Sequence, residues 1–354
     1  METVLQEFRE QILTASAAGT AIRIQGGATK SWYGQLCEGE ILHTCGYTGV
    51  IAYEPTELYI TARAGTSLKE IDSLLAEYGQ MLAFEPPHFG VAATVGGMVA
   101  AGLSGPRRAT SGALRDFVLG VSSMNGRGEF LQFGGQVMKN VAGYDVSRLM
   151  AGSLGELGLL LDISLKVMPR PMHETSLAFA MSEVDALHAL NLWAGQALPI
   201  SASAYHAGRL TVRLSGSESA LRLARAKLGG QELGDLQAFW TSLREQEHHF
   251  FTPEEGLALL RLSLPPSAPE LKIRSKNLVE WGGAQRWIWT HEPLSIVRET
   301  VQKMGGHVTQ FRYADQIQPV FTPLNPVQLK IHQELKRAFD PAGIFNRGCL
   351  FASA

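Results

Sequence analysis

Apolar residues recur at helical spacing in the first part of the chain. Charged and amide side chains separate the apolar residues of one stripe, which are Val4, Leu5, Phe8, Ile12 and Leu13. This pattern predicts an amphipathic helix over residues 1–18. A secretory signal would instead need a basic start and an unbroken apolar run before a small-residue cleavage site, so we expect a folded helix.

A second helix is predicted over Ser67–Tyr78. Its apolar positions lie three and four residues apart, Ser67 and Glu70 have the spacing of a capping box, and Gly79 follows as a stop signal. Strand-like runs precede this helix at 58–62 and follow it at 80–84. The order strand, helix, strand suggests a βαβ unit.

A hairpin is predicted around Asn125 and Gly126. This dipeptide is a strong signal for a tight turn, and apolar runs flank it at Phe117–Ser122 and Glu129–Phe133. Another strand is expected at 21–25, directly before a pair of glycines.

The second half of the sequence mixes the two periodicities. Alternating runs predict strands at Ser201–Tyr205 and Arg209–Leu214, whereas Ser217–Leu228 and Pro326–Phe339 have the spacing of helices. Strands and helices in this arrangement indicate an α+β module.

The chain is long enough for two domains. Its 354 residues exceed the usual size of one domain, and Pro169 and Pro171 interrupt the pattern of strands. We therefore expect a first domain over 1–170, a second over 171–325, and a helix and tail over 326–354 that return to the first domain.

Composition excludes several function classes. Charged residues make up 18% of the chain, the net charge is −2, and the basic residues are scattered, so nucleic acid is not an expected partner. No run approaches the roughly 20 apolar residues that span a bilayer. We expect a cytoplasmic protein without direct membrane insertion, whose contact with the inner membrane, if any, is made through partner subunits.

Three cysteines are too few for an iron–sulfur cluster with four thiolate ligands. Cys37, Cys45 and Cys349 include no pair with CxxC spacing. We expect all three to be buried or reduced thiols, and a redox role is the alternative.

Glycines first cluster after the strand at 21–25. Such glycines allow consecutive backbone N–H groups to converge on a phosphate, and a hydroxyl can add a donor. An ordinary turn explains this segment equally well. The spacing fits neither a Walker A loop nor the Rossmann glycine motif, which argues against ATP-driven chemistry and an NAD-binding Rossmann domain. The candidate residues are Gln25, Gly26, Gly27, Ala28 and Thr29.

Small residues dominate the region from Glu85 to Gly112, so a bound planar ligand or a closely packed helix must lie against it. A third cluster precedes the expected domain boundary. The first two clusters could hold one elongated dinucleotide, and the third could approach an adenine edge or be an ordinary βα-type turn. The second group of candidates is Thr94, Val95, Gly96, Gly97, Gly102 and Gly112, and the third is Gly155, Glu156 and Gly158.

In the order and spacing of the three clusters, residues 20–170 resemble the FAD-binding domain of vanillyl-alcohol oxidase and p-cresol methylhydroxylase (PCMH). The resemblance implies a two-lobed PCMH-type domain that clamps FAD, followed by a smaller α+β cap-like domain. It places Gly26–Thr29 at the pyrophosphate, Thr94–Gly97 at the flavin and Gly155–Gly158 at the adenine side. Ala28 stands where some relatives carry a histidine bound to flavin, and residues 21–34 contain no His or Cys, so non-covalent FAD is expected.

A narrower resemblance spans the chain. The segments Gly134–Gly155, Arg213–Gly230 and Arg337–Gly348 are similar to FAD-binding subunits of bacterial glycolate oxidases. It implies oxidation of glycolate or a similar short 2-hydroxy acid, with electrons passed to a second FAD-containing subunit and an iron–sulfur subunit. It also implies that Asn346 returns to the flavin domain, so that the chain finishes near the cofactor.

Catalytic residues are harder to name. His307 and Arg312 are candidates because a histidine can accept a proton near neutral pH, although an ordinary histidine at a strand end fits better. Arg107 and Arg108 could steer an anionic substrate, or could be ordinary exposed loop residues. Two alternative functions remain, namely a stand-alone FAD-dependent D-2-hydroxyacid dehydrogenase and a flavin-free assembly subunit.

No metal site is expected. Catalytically complete 2-hydroxyacid relatives carry a His-rich metal constellation in the cap, whereas the nearest run here is Glu247, His248, His249 and Phe250. Adjacent histidines of this kind are usually solvated.

Overall fold

The computed structural model describes residues 2–135, 145–234, 236–312 and 318–351, so the middle of the Gly134–Gly155 segment lies outside the described residues. The helices, in chain order, are α1 (Glu2–Ala18), α2 (Leu68–Glu77), α3 (Val95–Ala101), α4 (Arg108–Ser111), α5 (Leu114–Phe117), α6 (Val146–Met150), α7 (Glu183–Ala194), α8 (Glu218–Leu228), α9 (Gln237–Arg244), α10 (Leu294–Lys303) and α11 (Pro326–Phe339).

Among the described residues, the strands of the first half form three small sheets. They are β1 (Ile22–Gln25), β2 (Glu40–His43), β3 (Val50–Glu54), β4 (Tyr59–Arg63), β5 (Gln80–Met81), β6 (Val118–Met124), β7 (Phe130–Gly134), β8 (Leu159–Lys166) and β9 (Met168–Pro169). The remaining strands form one larger sheet. They are β10 (His173–Ala180), β11 (Ile200–His206), β12 (Arg209–Gly216), β13 (Gln231–Glu232), β14 (Ala258–Ser263), β15 (Lys276–Glu280), β16 (Gln285–Thr290) and β17 (His307–Arg312).

A five-stranded antiparallel sheet organises the first half, in the order β3-β4-β8-β6-β7. Its central strand β8 is apolar and almost wholly buried, as expected of a strand covered on both faces. Helices α2 and α3 pack against the sheet through residues such as Ile71, Leu75 and Met98. The predicted hairpin of β6 and β7 is confirmed, with Asn125 Oδ1 accepting hydrogen bonds from two backbone amides of the turn.

The predicted βαβ unit is wrong. Strand β5 has only two residues and pairs with β9 in a separate antiparallel sheet, away from β4. The apolar residues that follow, Leu82, Ala83 and Phe84, are buried in the core without joining a strand. Their hydrophobicity therefore reflected burial alone. At the start of α2, Ser67 Oγ accepts a hydrogen bond from the amide of Lys69, which is simpler than the predicted capping box.

Residues 344 and 345 pack into the first half of the chain. Strands β1 and β2 pair in parallel, and Ile22 forms a bridge with Phe345. Helix α1 covers this region with Phe8 and Ile12, in the same buried cluster as Ile344. Residues more than 300 positions apart thus share one small core.

The second half is built on an eight-stranded antiparallel sheet, in the order β13-β10-β12-β11-β15-β16-β14-β17. Helices α7, α8 and α10 cover one face. The other face, called here the inner face, carries Leu259, Trp287 and Phe311 and packs against Leu103 and Tyr33 of the first half. The fold is therefore α+β, and the predicted domain limits at 170 and 325 stay predictions.

Buried ion pairs join the two halves. Arg107 donates to Glu85 over 3.3 Å and to Glu174 over 2.6 Å, and Arg213 lies 2.8 Å from Glu85. Arg107 is only 7% exposed, so the prediction of a substrate-steering loop arginine is wrong for this residue. Its charge is held by two carboxylates, as a buried guanidinium requires.

Candidate cofactor-binding site

A cavity opens between the β1 turn, the start of α3 and the segment 154–158. Its empty volume is about 1050 Å³, counting solvent at the mouth. We call it the glycine-walled cavity. Most of the residues expected to bind a cofactor line it, namely Gln25, Gly26, Gly27, Ala28, Thr29, Thr94, Gly96, Gly97, Gly155, Gly158 and Asn346.

The first wall is the turn after β1, where side chains have no room. A Cβ on Gly26 would lie 2.5 Å from Thr94 Oγ1, and a Cβ on Gly27 would collide with the backbone carbonyl of Ala92. Ala28 holds a left-handed conformation with φ of 56°, which costs an ordinary residue about 1 kcal/mol. The β1 turn therefore packs closely against Thr94 and Ala92, and Ala28 adopts a strained backbone conformation.

The second wall is the start of α3. Thr94 is its N-cap, and Thr94 Oγ1 accepts a hydrogen bond from the amide of Gly97. A Cβ on Gly96 would lie 2.7 Å from the Cβ of Ala64, so close packing explains this glycine. Gly97 lines the cavity, and a Cβ on it would lie 3.2 Å from Thr94 Oγ1. Close packing therefore accounts for both glycines, and Gly97 also borders the open space.

Asn346 connects β1 to the third wall, the segment 154–158. Its Oδ1 accepts a hydrogen bond from the Ile24 amide over 2.7 Å, and its Nδ2 donates to the Leu154 carbonyl over 2.6 Å. A Cβ on Gly155 would lie 2.7 Å from Asn346 Nδ2, which explains why glycine stands there. One side chain thus fixes β1 and the segment 154–158 relative to each other.

Four candidates do not line the cavity, and each has a structural contact that explains its residue type. Val95 is fully buried in the first core, and Gly102 ends α3 in a left-handed conformation. Gly112 ends α4 with φ of 104°. The buried carboxylate of Glu156 accepts a hydrogen bond from the Leu350 amide and lies 3.2 Å from His332.

Lys30 also lines the cavity, directly after Thr29, the last residue of the first predicted group. Its ammonium donates to the His88 carbonyl over 3.0 Å, and no carboxylate among the described residues forms an ion pair with it. Burial lowers the pKa of Lys30 to about 8, which the Glu245 carboxylate opposes only partly. A cationic residue in the wall of a cavity favours an anionic occupant.

Two cysteines at the cavity wall are joined. Cys37 and Cys349 form a disulfide with their Cα atoms 5.5 Å apart, so the expectation that all three thiols are reduced is wrong for this pair. The Gln35 amide also donates to the Cys349 carbonyl over 2.8 Å. Cys45 is free. The pairing was not evident from sequence because 312 positions separate the two cysteines.

The predicted catalytic candidates lie away from the cavity. His307 is exposed at the start of β17. Arg312 stacks 4.6 Å from the ring centroid of Trp32 and donates to Gln246 over 3.1 Å. Arg108 stacks on Trp281.

Histidines cluster on the second half without forming a metal centre. The rings of His248 and His249 lie 4.0 Å apart, and His206 contacts both. Burial, with the neighbouring His249 and His206, lowers the pKa of His248 to about 4. Within the described ranges, no three His, Cys, Asp or Glu side chains are arranged to hold a metal ion.

The walls of the cavity fit a dinucleotide. Backbone amides of the β1 turn line the first wall, Lys30 stands beside them, and glycines leave room for flat rings. These are donors suited to a pyrophosphate.

In the part of the chain that is described, no helix has the length and apolarity needed to cross a membrane.

Comparisons with known proteins agree with this geometry. Residues 5–134 match the FAD binding domain family. The chain is 44% identical over 347 residues to glycolate oxidase subunit GlcE of Escherichia coli K12, covering 98% of this chain and 97% of that subunit. It is 31% identical over 134 residues to glycolate oxidase subunit GlcD of Bacillus subtilis, covering 38% of this chain and 28% of that subunit.

A solved structure shows the same fold. Alkyldihydroxyacetonephosphate synthase superposes with a TM-score of 0.67 at 13% identity, covering 96% of this chain and 74% of that chain. The predicted fold class, with a PCMH-type FAD-binding domain and a second α+β part, is confirmed. With its FAD-binding domain and near full-length similarity, the chain belongs to the family of glycolate oxidase GlcE subunits.

Proposed function

We propose that this chain is the FAD-binding subunit of a glycolate oxidase complex. It takes part in the oxidation of glycolate, or a similar short 2-hydroxy acid, to the 2-oxo acid. The observation that supports this most directly is the 44% identity to GlcE along almost the whole chain, because the glycine-walled cavity lies within the matched region. Electrons then pass to partner subunits.

Each wall of the cavity has a role in this proposal. The amides of Gly26–Thr29 and the ammonium of Lys30 bind the pyrophosphate of FAD, and Thr94–Gly97 lies along the flavin. Gly155–Gly158 lies at the adenine side, and Asn346 holds two of these segments in place. FAD supplies the electron acceptor for the hydroxy acid. Since residues 21–34 offer no histidine or cysteine, the cofactor is bound non-covalently.

The proposed partners are a second FAD-containing subunit and an iron–sulfur subunit. The similarity to GlcD shows that a glycolate oxidase subunit of another name shares part of this sequence. Any iron–sulfur cluster of the complex would lie in a partner, because Cys37 and Cys349 are joined and Cys45 alone cannot hold one. The complex is cytoplasmic, and any contact with the inner membrane is made through these partners.

Purification of the tagged chain from its native source tests the proposal. We expect a yellow complex that releases free FAD on denaturation and contains a second flavoprotein and an iron–sulfur protein. A chain that stays colourless with excess FAD would be a flavin-free assembly subunit. A single chain that bleaches its own flavin with glycolate or D-lactate, without partners, would be a stand-alone dehydrogenase.

A matched pair of variants tests the cavity. Gly26→Ala places a Cβ 2.5 Å from Thr94 Oγ1, whereas Gly46→Ala meets nothing within 4 Å. We expect the first variant to bind FAD at least ten-fold more weakly and the second to bind it normally, measured by quenching of flavin fluorescence. Equal affinities would remove the β1 turn from the cofactor site.

A further inference from the structure

A turn near the end of the chain forms part of the wall of the glycine-walled cavity. Asn346 and Cys349, at the two ends of this turn, both line the cavity, and the Cys349 amide donates to the Asn346 carbonyl over 3.1 Å. We call residues 346–349 the tail turn. Because it follows more than 300 residues after the β1 turn, it can border the cavity only where contacts with earlier segments hold it.

Contacts with β1 and the third wall hold the start of the tail turn. The Asn346 amide donates to the Ile22 carbonyl over 2.8 Å, in addition to the two hydrogen bonds that the Asn346 side chain makes with Ile24 and Leu154. These bonds fix the entry to the turn. Other contacts must fix its exit.

Glu156 holds the exit of the tail turn. The amide of Leu350, the residue directly after the turn, donates to Glu156 Oε1 over 2.8 Å. Glu156 is only 4% exposed, and its Oε2 lies 3.2 Å from His332 Nε2 on α11. A hydrogen bond from a backbone amide to a buried carboxylate is stronger than one between neutral groups. This bond therefore anchors the chain where it leaves the turn.

The side chain of Glu156 lies behind the wall of the cavity. Its neighbours Gly155 and Gly158 line the cavity, whereas Glu156 borders a surface groove along α11. A Cβ on Gly155 would lie 2.7 Å from Asn346 Nδ2, so the third wall and the tail turn are in direct contact. Glu156 thus acts on the cavity through the tail turn, without contacting an occupant.

Lys336 supports the same arrangement from α11. Its ammonium donates to the backbone carbonyls of Glu156 and Phe345 over 2.7 Å each, and to Asp340 Oδ2 over 2.8 Å. Asp340 is 1% exposed, and its carboxylate accepts hydrogen bonds from the amides of Ile344 and Phe345. One buried polar cluster thus joins the third wall, α11 and the residues before the tail turn.

We propose that Glu156 is a positioning residue for the cofactor, which keeps the tail turn in the wall of the glycine-walled cavity by binding the Leu350 amide. Release of this amide loosens the exit of the turn, opens the wall beside Asn346 and speeds the loss of FAD. The identity of the occupant rests on the proposed function, whereas the contacts of Glu156 do not.

Substitution of Glu156 in the full-length, FAD-loaded chain tests the proposal. Glu156→Ala removes the acceptor of the Leu350 amide, and we expect FAD to dissociate about ten-fold faster, as the loss of a charge-assisted hydrogen bond implies. Glu156→Gln keeps an oxygen acceptor, so its effect should be only about two- to three-fold. The rise of flavin fluorescence after dilution measures both rates.

A control variant separates this effect from a general loss of stability. Val212→Ala creates a cavity in the core beneath α7 and α8, which belongs to the second half of the chain. It should lower the melting temperature at least as much as Glu156→Ala does, while FAD dissociates at the normal rate. A normal rate in Glu156→Ala, or an equal acceleration in Val212→Ala, would overturn the proposal.

A double variant shows whether Glu156 acts on the tail turn itself. Cys37 tethers the same turn through Cys349, so Cys37→Ser removes a second support at the same place. Each support compensates for loss of the other, and removal of both should therefore speed FAD dissociation by more than the product of the separate effects. The Leu350 amide should also exchange faster in Glu156→Ala and normally in Val212→Ala. Independent effects in the double variant would contradict the proposal.

The outcomes also distinguish this proposal from the proposed function. If the chain binds FAD and releases it at the same rate with and without the Glu156 carboxylate, only the role of Glu156 is refuted. If the unaltered chain binds no FAD, the proposed function is refuted, and faster exchange of the Leu350 amide in Glu156→Ala would still show that Glu156 holds the tail turn.

Discussion

Replacement of Asn346 tests how strongly one side chain holds the glycine-walled cavity together. Asn346→Ala removes the two hydrogen bonds to the backbone of Ile24 and Leu154, of 2.7 and 2.6 Å, each worth about 1 kcal/mol. It also places alanine at φ of 38°, in the left-handed region that asparagine tolerates, which adds about 1 kcal/mol. We therefore expect a loss of about 3 kcal/mol in the free energy of unfolding of this region.

Hydrogen exchange measures this effect locally. The amide of Ile24, which donates to Asn346, should lose protection in Asn346→Ala, and FAD should dissociate faster. Asn346→Gly loses the same hydrogen bonds and removes the steric cost of the left-handed backbone, so comparison with Asn346→Ala isolates that cost. Ile24 protection equal to that of the unaltered chain would refute the reasoning, because Asn346 would then not connect the two walls.

Two further predictions concern the same cavity. The pKa of Lys30 is lowered from its ordinary 10.5 to about 8, so the unfolded chain binds more protons than the folded chain between these values. The stability of the flavin-free chain should therefore rise with pH from about 8 to 10.5, and the melting temperature of Lys30→Met should lack this part of the rise. Reduction of the Cys37–Cys349 disulfide should lower stability by about 3 to 5 kcal/mol, because it releases a long closed loop. Melting with and without reductant checks this, and a Cys37→Ser variant that still responded to reductant would contradict it.

The local features of the cavity could be predicted in part from sequence because paired glycines after a strand favour a turn. The turn at Gly26 and Gly27 and the N-cap at Thr94 follow directly from residue type. The roles of Gly102 and Gly112 were harder to predict, because a sequence does not distinguish a glycine that ends a helix from one that faces a ligand. The distinction lies in what surrounds the backbone, which the sequence alone does not contain.

Long-range pairs were beyond sequence reasoning. Leu259 and Trp287 stand on different strands, and the neighbouring positions of β16 and β14 in the sheet bring them to the inner face. The resemblance to known FAD-binding subunits predicted the return of Asn346, whereas nothing in a single sequence indicated that Arg107 is buried between two glutamates. The false βαβ unit has a related cause, since Leu82–Phe84 are as apolar as a strand without pairing as one.

The bond from Ile24 to Asn346 also bears on how the protein matures. These residues lie 322 positions apart, so the ribosome makes β1 and its glycine turn long before the residue that fixes them. Until Asn346 has been synthesised and docked, the nascent chain has an incomplete pocket. Complete formation of the cofactor cavity therefore requires synthesis of the chain as far as Asn346.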